Sequence, residues 1–183
     1  MKEISSLRIR ILGDDVLRRK SCAVRHITGF HRELLSKMAQ MMYESSGIGL
    51  AAPQVGVNEN MIVADIGSGL YKLINPRIIK REGSLALEEG CLSVPGVCIK
   101  VKRAKKVKVV ALDENGKRIE VEAENVLACV LQHEIDHLKG KLIVDYASFL
   151  EKVKMKRALA ELRKRFKDEE LPESETKSCK LQL

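Results

Sequence analysis

The chain contains no tryptophan, and only three tyrosines and three phenylalanines among 183 residues. Proteins that read single-stranded nucleic acid stack bases on aromatic platforms, so this shortage argues against nucleic acid as the primary ligand, and DNA is not an expected partner. No apolar run approaches the roughly 18 residues needed to cross a bilayer, and no membrane association is expected. Residues 1–20 alternate apolar and charged side chains, with Glu3, Asp14 and Asp15 among them, and fit neither a secretory signal nor a clear organelle-targeting peptide. The expected compartment is therefore the cytoplasm. The cysteines stand at 22, 91, 98, 129 and 179, an odd set that matches no disulfide framework and no CxxC zinc knuckle. In a cytosolic protein they are expected to be thiols, mostly buried as small apolar groups. There is no internal repeat, and no glycine-rich loop followed by Lys-Ser/Thr, which excludes nucleotide binding through a phosphate loop.

What is present suits one compact domain. Hydrophobic residues make up 45% and charged residues 32% of the chain, with a net charge of +8 and a pI of about 9.3. A basic balance favours encounters with nucleic acid, a ribosome or an anionic surface. Helical spacing of Phe30, Leu34, Leu35, Met38, Met41 and Met42 predicts an amphipathic helix over 31–46 whose Met-rich stripe faces the core. Residues 61–66 and 71–75 read as short strands around a Gly67-Ser68-Gly69 turn, and the stretch between Gly47 and Gly56 reads as irregular. Residues 106–112 and 118–122 read as a hairpin closed by Asp113-Glu114-Asn115-Gly116. Asn125 is the expected N-cap of a helix running to Leu138, with Gly140 just past its end, and a further helix is expected over 148–167. Strands joined by short turns rather than by crossover helices give an α+β fold: antiparallel or mixed sheets packed around a central helix, with an N-terminal and a C-terminal helix beside it. Residues 168–183 are polar and biased, contain Pro172, and are expected to be a disordered tail.

The central helix carries His133-Glu134-Ile135-Asp136-His137. Histidines at i and i+4 leave a helix on the same face, so their imidazoles can grip one metal ion, and Glu134 can reach a water at that metal as a general base. The bland alternative is two half-exposed histidines with Asp136 as a surface charge. A hydrolytic metal site normally has three protein ligands and an open position. In one protease class a further histidine follows in HExxHxxGxxH, but here Gly140 fits and position 143 is Ile, which cannot ligate. Glu151 and Glu161 in the next helix keep a second pattern open. The better candidate lies upstream, where Cys91 sits in a loop-like Glu-Glu-Gly-Cys-Leu-Ser segment and offers a thiolate suited to iron, zinc or nickel. The small-residue stretch 47–56 would let a substrate backbone approach closely, and Gln54 within it offers an amide donor for an oxyanion.

Three ordered motifs, GIGLAAPQ at 47–54, EGCLS at 89–93 and QHEIDH at 132–137, carry a resemblance to the peptide deformylase family that runs from the N-terminal helix through Tyr146. The resemblance implies a single catalytic domain over 1–167 that removes the formyl group from N-formylmethionyl nascent polypeptides and releases formate. It implies that Cys91, His133 and His137 bind one divalent metal, most often Fe2+ in this family, with Zn2+, Ni2+ and Co2+ fitting the same donor set. A metal-bound water would attack the formyl carbon, with Glu134 as general base and then general acid. The Gln54 side chain and the Leu92 backbone N–H would hold the oxyanion. Ile48 and Cys129 would line the pocket for the methionine side chain, and backbone near Ile48, Gly49 and Gly90 would pair with the peptide as an added strand. A formyl carbon carries only hydrogen, so a narrow pocket would exclude acetylated chains. One departure bears on peptide affinity beyond methionine. Many relatives have a basic residue shortly after Val-Pro-Gly, whereas here Val97-Cys98-Ile99 is apolar and Lys100 and Arg103 come later. Relatives can also dock on the ribosome through a C-terminal helix. The segment 152–167 has eight Lys or Arg against Glu161 alone, so ribosome association is the expectation there, a solvated helix face being the alternative. Rival readings are an HExxH peptidase with a different third ligand, a binding module that has lost catalysis, and a basic RNA-binding protein with a structural metal.

Overall fold

A computed structural model describes residues 7–167; the expected tail at 168–183 lies outside the described residues. Helix α1 spans Gly29–Glu44, two residues earlier than its apolar periodicity suggests. It begins there because Thr28 and His31 cap it, with the Thr28 N–H donating to His31 Nδ1 at 3.0 Å. Strands β1 (Gly49–Ala51), β2 (Met61–Ala64), β3 (Tyr71–Glu82), β6 (Lys106–Leu112) and β7 (Arg118–Glu124) form one antiparallel sheet in the order β1-β2-β3-β6-β7. Strands β4 (Leu85–Glu89) and β5 (Ile99–Arg103) pair with each other in a separate two-stranded sheet. Helix α2 is Asn125–His137 and helix α3 is Phe149–Lys167, so the expected α+β arrangement is present, with the HExxH residues on α2.

Local chemistry accounts for the differences from the sequence reading. Strand β3 does not stop at Asn75 but runs on to Glu82, because Pro76, which has no N–H to give to a ladder, falls at a register shift between Ile74 and Arg77. Asn125 is not the N-cap of α2. Glu124 holds that position without a side-chain bond, while Asn125 has φ +53° and donates its backbone N–H to Lys105 O at 2.8 Å. Asparagine tolerates the left-handed region, so the residue makes the sharp turn from β7 into the helix. The stretch 47–56 is not wholly irregular, since Gly49–Ala51 pairs with β2.

Helix α2 is buried on all sides, with 127–135 without exception at the low-exposure end. A helix with that burial belongs at the centre of a domain. One side, through Leu127, Ala128, Val130, Leu131 and Ile135, packs on Ala51, Ile62, Leu73, Val109 and Val121 of the large sheet. Helix α1 covers the β1–β2 end through Leu34, Leu35, Met38 and Met42. A third cluster joins Cys91, Val94 and Ile99 around the β4–β5 connection to Leu142, Ile143 and the α3 residue Leu162. The N-terminal segment ties the motif segments together: Arg10 N donates to Gln54 O at 2.7 Å and Leu12 N to Ser93 O at 2.8 Å. Just past α2, Gly140 has φ +72°, and a Cβ there would lie 2.4 Å from Arg18 O, so glycine is required both by conformation and by close approach.

The thiol expectation holds for Cys22, Cys91 and Cys129 and fails at Cys98, which is disulfide-bonded. Cys98 is exposed, where a second sulfur can reach it, whereas Cys91 and Cys129 are sealed in the core.

Candidate active site

Residues from three elements meet at one face of α2. Cys91 opens a tight turn directly after β4, closed by Val94 N–H to Cys91 O at 2.9 Å, and a second turn with Pro95 and Gly96 (φ +73°) leads back to β5. The chain therefore reverses around Cys91 and aims its sulfur at the helix. Cys91 Sγ lies 3.3 Å from His137 Nε2, and His137 Nε2 lies 3.1 Å from His133 Nε2. These donor atoms all fall within 4.8 Å of one another, and all three residues are buried.

Their environment fits a cation. Burial pushes the Cys91 thiol up to about 12 and holds both histidines below their ordinary range, His137 well below. A nearby positive ion would favour the thiolate, and neutral imidazoles present the lone pairs a metal needs. Glu134, wholly buried, has no hydrogen-bond partner at either carboxylate oxygen among the described residues, and burial raises its carboxyl well above the usual range. A buried carboxyl without partners is costly unless a ligand or water occupies the site beside it. Gly49 makes room for it: a Cβ at Gly49 would sit 2.3 Å from Glu134 Oε1 and 3.0 Å from Val130 Cγ1.

Gln54 is also wholly buried. Its Oε1 accepts the Ala51 N–H at 2.8 Å, which turns its amide nitrogen towards Cys91 Sγ, 3.6 Å away, and Ser93 Oγ, 3.2 Å away. Leu92 follows Cys91 in the turn, and its side chain packs in the α1 cluster. Ile48 packs at the edge of the α2 cluster, and its carbonyl accepts from Asp65 N at 3.0 Å. Gly90 is buried beside Cys91, and Cys129 lies fully buried one helical turn before His133, its thiol raised to about 11 by burial. Lys100 is exposed on β5, while Arg103 turns inward.

Arg103 belongs to a set of residues that spacing alone does not reveal. His133 Nδ1 is 3.0 Å from Glu89 Oε2. Arg103 grips the same carboxylate through both oxygens, Nε to Oε1 and an NH2 contact of 2.9 Å to Oε2. Burial alone would raise the Glu89 carboxyl, but the bonds from His133 and Arg103 hold it below its usual range. Arg103 NH1 also donates to Asp136 Oδ2 at 2.9 Å, and the Tyr146 hydroxyl donates to the same oxygen at 2.6 Å. In the sequence Glu89 stands inside a motif without a role, Asp136 has no role beyond a surface charge in the bland alternative, and Arg103 is only a basic residue late after Val-Pro-Gly. A buried arginine flanked by two motif carboxylates is the only signal, and it appears only once β5 folds against α2.

The sequence and the fold are both similar to those of known proteins. A family model described as "Polypeptide deformylase" matches residues 6–153. A curated peptide deformylase of Thermoanaerobacter pseudethanolicus is 51% identical over 139 residues, covering 76% of this chain and 87% of that protein. The crystal structure of a peptide deformylase from Legionella pneumophila superposes with a TM-score of 0.82 at 40% identity, covering 91% of this chain and 99% of the other. A plant peptide deformylase, PDF1B, superposes with a TM-score of 0.86 at 31% identity, covering 97% and 100%. With both the sequence and the fold matched over most of its length, the chain belongs to the peptide deformylase family, the metal-dependent hydrolases that remove N-formyl groups from new polypeptides.

Proposed function

We propose that Cys91, His133 and His137 hold the metal and that Glu134, Gln54 and Leu92 carry the chemistry on an N-formylmethionyl chain. The observation that supports this best is the buried Glu134 carboxyl, without partners, beside three convergent donor atoms. When bound, a divalent cation acidifies a water and polarises the formyl carbonyl. Glu134 takes the proton from the attacking water and delivers it to the amine nitrogen as the C–N bond breaks, releasing formate and a free amino terminus. The Gln54 amide, held by Ala51, and the Leu92 N–H donate to the oxygen on which charge develops. The Ala51 bond orients the Gln54 amide before reaction, towards Cys91 and Ser93.

The peptide docks as a strand against the β1 edge and Gly90, with Gly49 allowing close approach and Ile48 and Cys129 bordering the methionine side chain. Ferrous iron is the native metal in this reading; a thiolate and two imidazoles suit zinc, nickel and cobalt as well. The reaction runs in the cytoplasm; no described helix is long and apolar enough to cross a membrane. Helix α3 docks on ribosomal RNA, its exposed Lys152, Lys154, Lys156, Arg157, Arg163 and Lys164 contacting phosphates.

Formate release from formyl-Met-Ala-Ser, measured with anaerobically prepared protein, tests the reaction, with Glu134→Ala as control. Release that disappears in the variant is expected. No release from a protein holding one metal per chain would overturn the assignment of these residues. Co-sedimentation with ribosomes that is lost at high salt and on removal of 150–183 is expected for α3; salt-insensitive binding, or binding that survives the deletion, would refute its role.

A further inference from the structure

We infer that Tyr146 is a positioning residue for the metal ligand His133, acting through Asp136, Arg103 and Glu89. The inference rests on Cys91, His133 and His137 being the metal site.

The two histidines are held in different ways. His137 Nδ1 is buried and has no hydrogen-bond partner among the described residues. His133 Nδ1 faces a carboxylate oxygen, which can only accept, so the ring carries its proton at Nδ1 and presents Nε2 to the metal. Glu89 can fix that ring only as firmly as it is fixed itself. Both its oxygens are taken by the planar fork of Arg103, which sets the carboxylate plane. Arg103 in turn is held at its third nitrogen by Asp136, and its guanidinium carbon lies 5.2 Å from the centroid of the Tyr146 ring. Tyr146 closes the set by donating to the Asp136 oxygen that Arg103 uses.

Burial grades outwards along this chain. Glu89 and His133 are sealed in the core, the Arg103 side chain is 4% exposed, Asp136 15%, and Tyr146 40%. Every link from the outermost ring to the ligand is a hydrogen bond or ring contact with one orientation, so a change at Tyr146 reaches the imidazole without touching any ligand. Tyr146 also ends the 3-10 turn Ile143–Tyr146, which the Leu142 N–H to Asp145 Oδ2 bond and the Arg18–Asp145 ion pair keep in place. The phenol is thus mounted on fixed backbone rather than on a free loop.

Tyr146→Phe removes the hydroxyl and keeps the ring. The probe is Co2+ loaded into metal-free protein. The readouts are its release to a chelator, its visible absorption, and the thermal midpoint of the metal-free form. Loss of a partner bonded directly to a ligand lowers metal affinity about 10- to 100-fold, so Tyr146→Phe, further out, is expected to release Co2+ about three- to tenfold faster. A shifted absorption band and an unchanged metal-free midpoint should accompany it. In a Glu89→Gln background the same change should add less than about twofold, because its path to His133 is already cut. Arg103→Lys, which keeps the charge and loses the fork, is the second background should Glu89→Gln not fold. Unchanged release and spectrum in Tyr146→Phe, or a full effect that persists in either background, would overturn the inference and leave the deformylase site intact. A parent protein that takes up no Co2+ would instead overturn the site assignment beneath it.

Discussion

Glu89 and Glu134 are both fully buried carboxylates beside His133, yet the fold treats them oppositely. Glu89 takes one bond from the imidazole and two from Arg103, and these hold it ionised. Glu134 has none, and burial holds its proton more tightly than water would. A carboxylate saturated with donors is a strut: it has one orientation and no reason to change its charge. A carboxylate with empty lone pairs in a dry pocket is free to exchange a proton with a reacting group. In the proposed mechanism the contrast separates holding the site from working in it, using the same functional group twice.

Several changes would break or sharpen that contrast. The largest effect is expected from Glu134→Gln, which keeps the shape and removes the base. Turnover should fall by about 10²- to 10⁴-fold while one metal per chain is retained by elemental analysis. Next is Glu89→Leu, which strands the Arg103 charge in the core. Stability should drop by about 3–5 kcal/mol in urea unfolding, with metal lost as well. Gly49→Ala drives a methyl into the Glu134 oxygen. Misplacing that carboxylate should lower kcat/KM by about tenfold to a hundredfold with little change in metal content.

A subtler prediction concerns pH in the metal-free protein. Burial raises the folded pKa of Glu134 above its unfolded value, so ionising it costs stability, and that cost grows as pH rises above about 4.3. Metal-free Glu134→Gln should therefore melt higher than the parent at neutral pH, and the two should converge in acid. Glu89 is shifted the other way. Its stabilisation is present above its unfolded pKa and is lost as pH falls through its lowered folded value. The smallest effect is expected from Lys156→Glu on the outer face of α3, which should change turnover of a short formylated peptide by less than about twofold.

The parts of this site written in local spacing were legible from sequence. The i, i+4 histidines and the adjacent Glu134 need only a helix, and the apolar residues around them already require one. Cys91 was legible because an HExxH without a third ligand asks for one, although spacing alone left Glu151 and Glu161 open. The network behind His133 was not legible. On β5 Arg103 shares the inward face with Ile99 and Val101, opposite Lys100 and Lys102, and what that face meets is a fact of tertiary packing. Strands β4 and β5 were hidden for a related reason: only five residues each, they gain their stability from pairing with each other and from the cluster beneath. Strand β1 was masked by its small residues, which look like a turn until β2 lies beside them. The disulfide at Cys98 depends on a contact that residue spacing does not encode.

Strand β1 has a consequence for solubility. It is an edge of the large sheet and is paired on one side only, with β2. An open edge is a template on which other chains can aggregate, and long flat edges are the dangerous ones. This one is three residues long and ends at Ala51, whose N–H the Gln54 side chain already occupies. It therefore offers backbone bonding for about two residues of a guest, enough to seat the end of a short peptide and too little to nucleate a fibril.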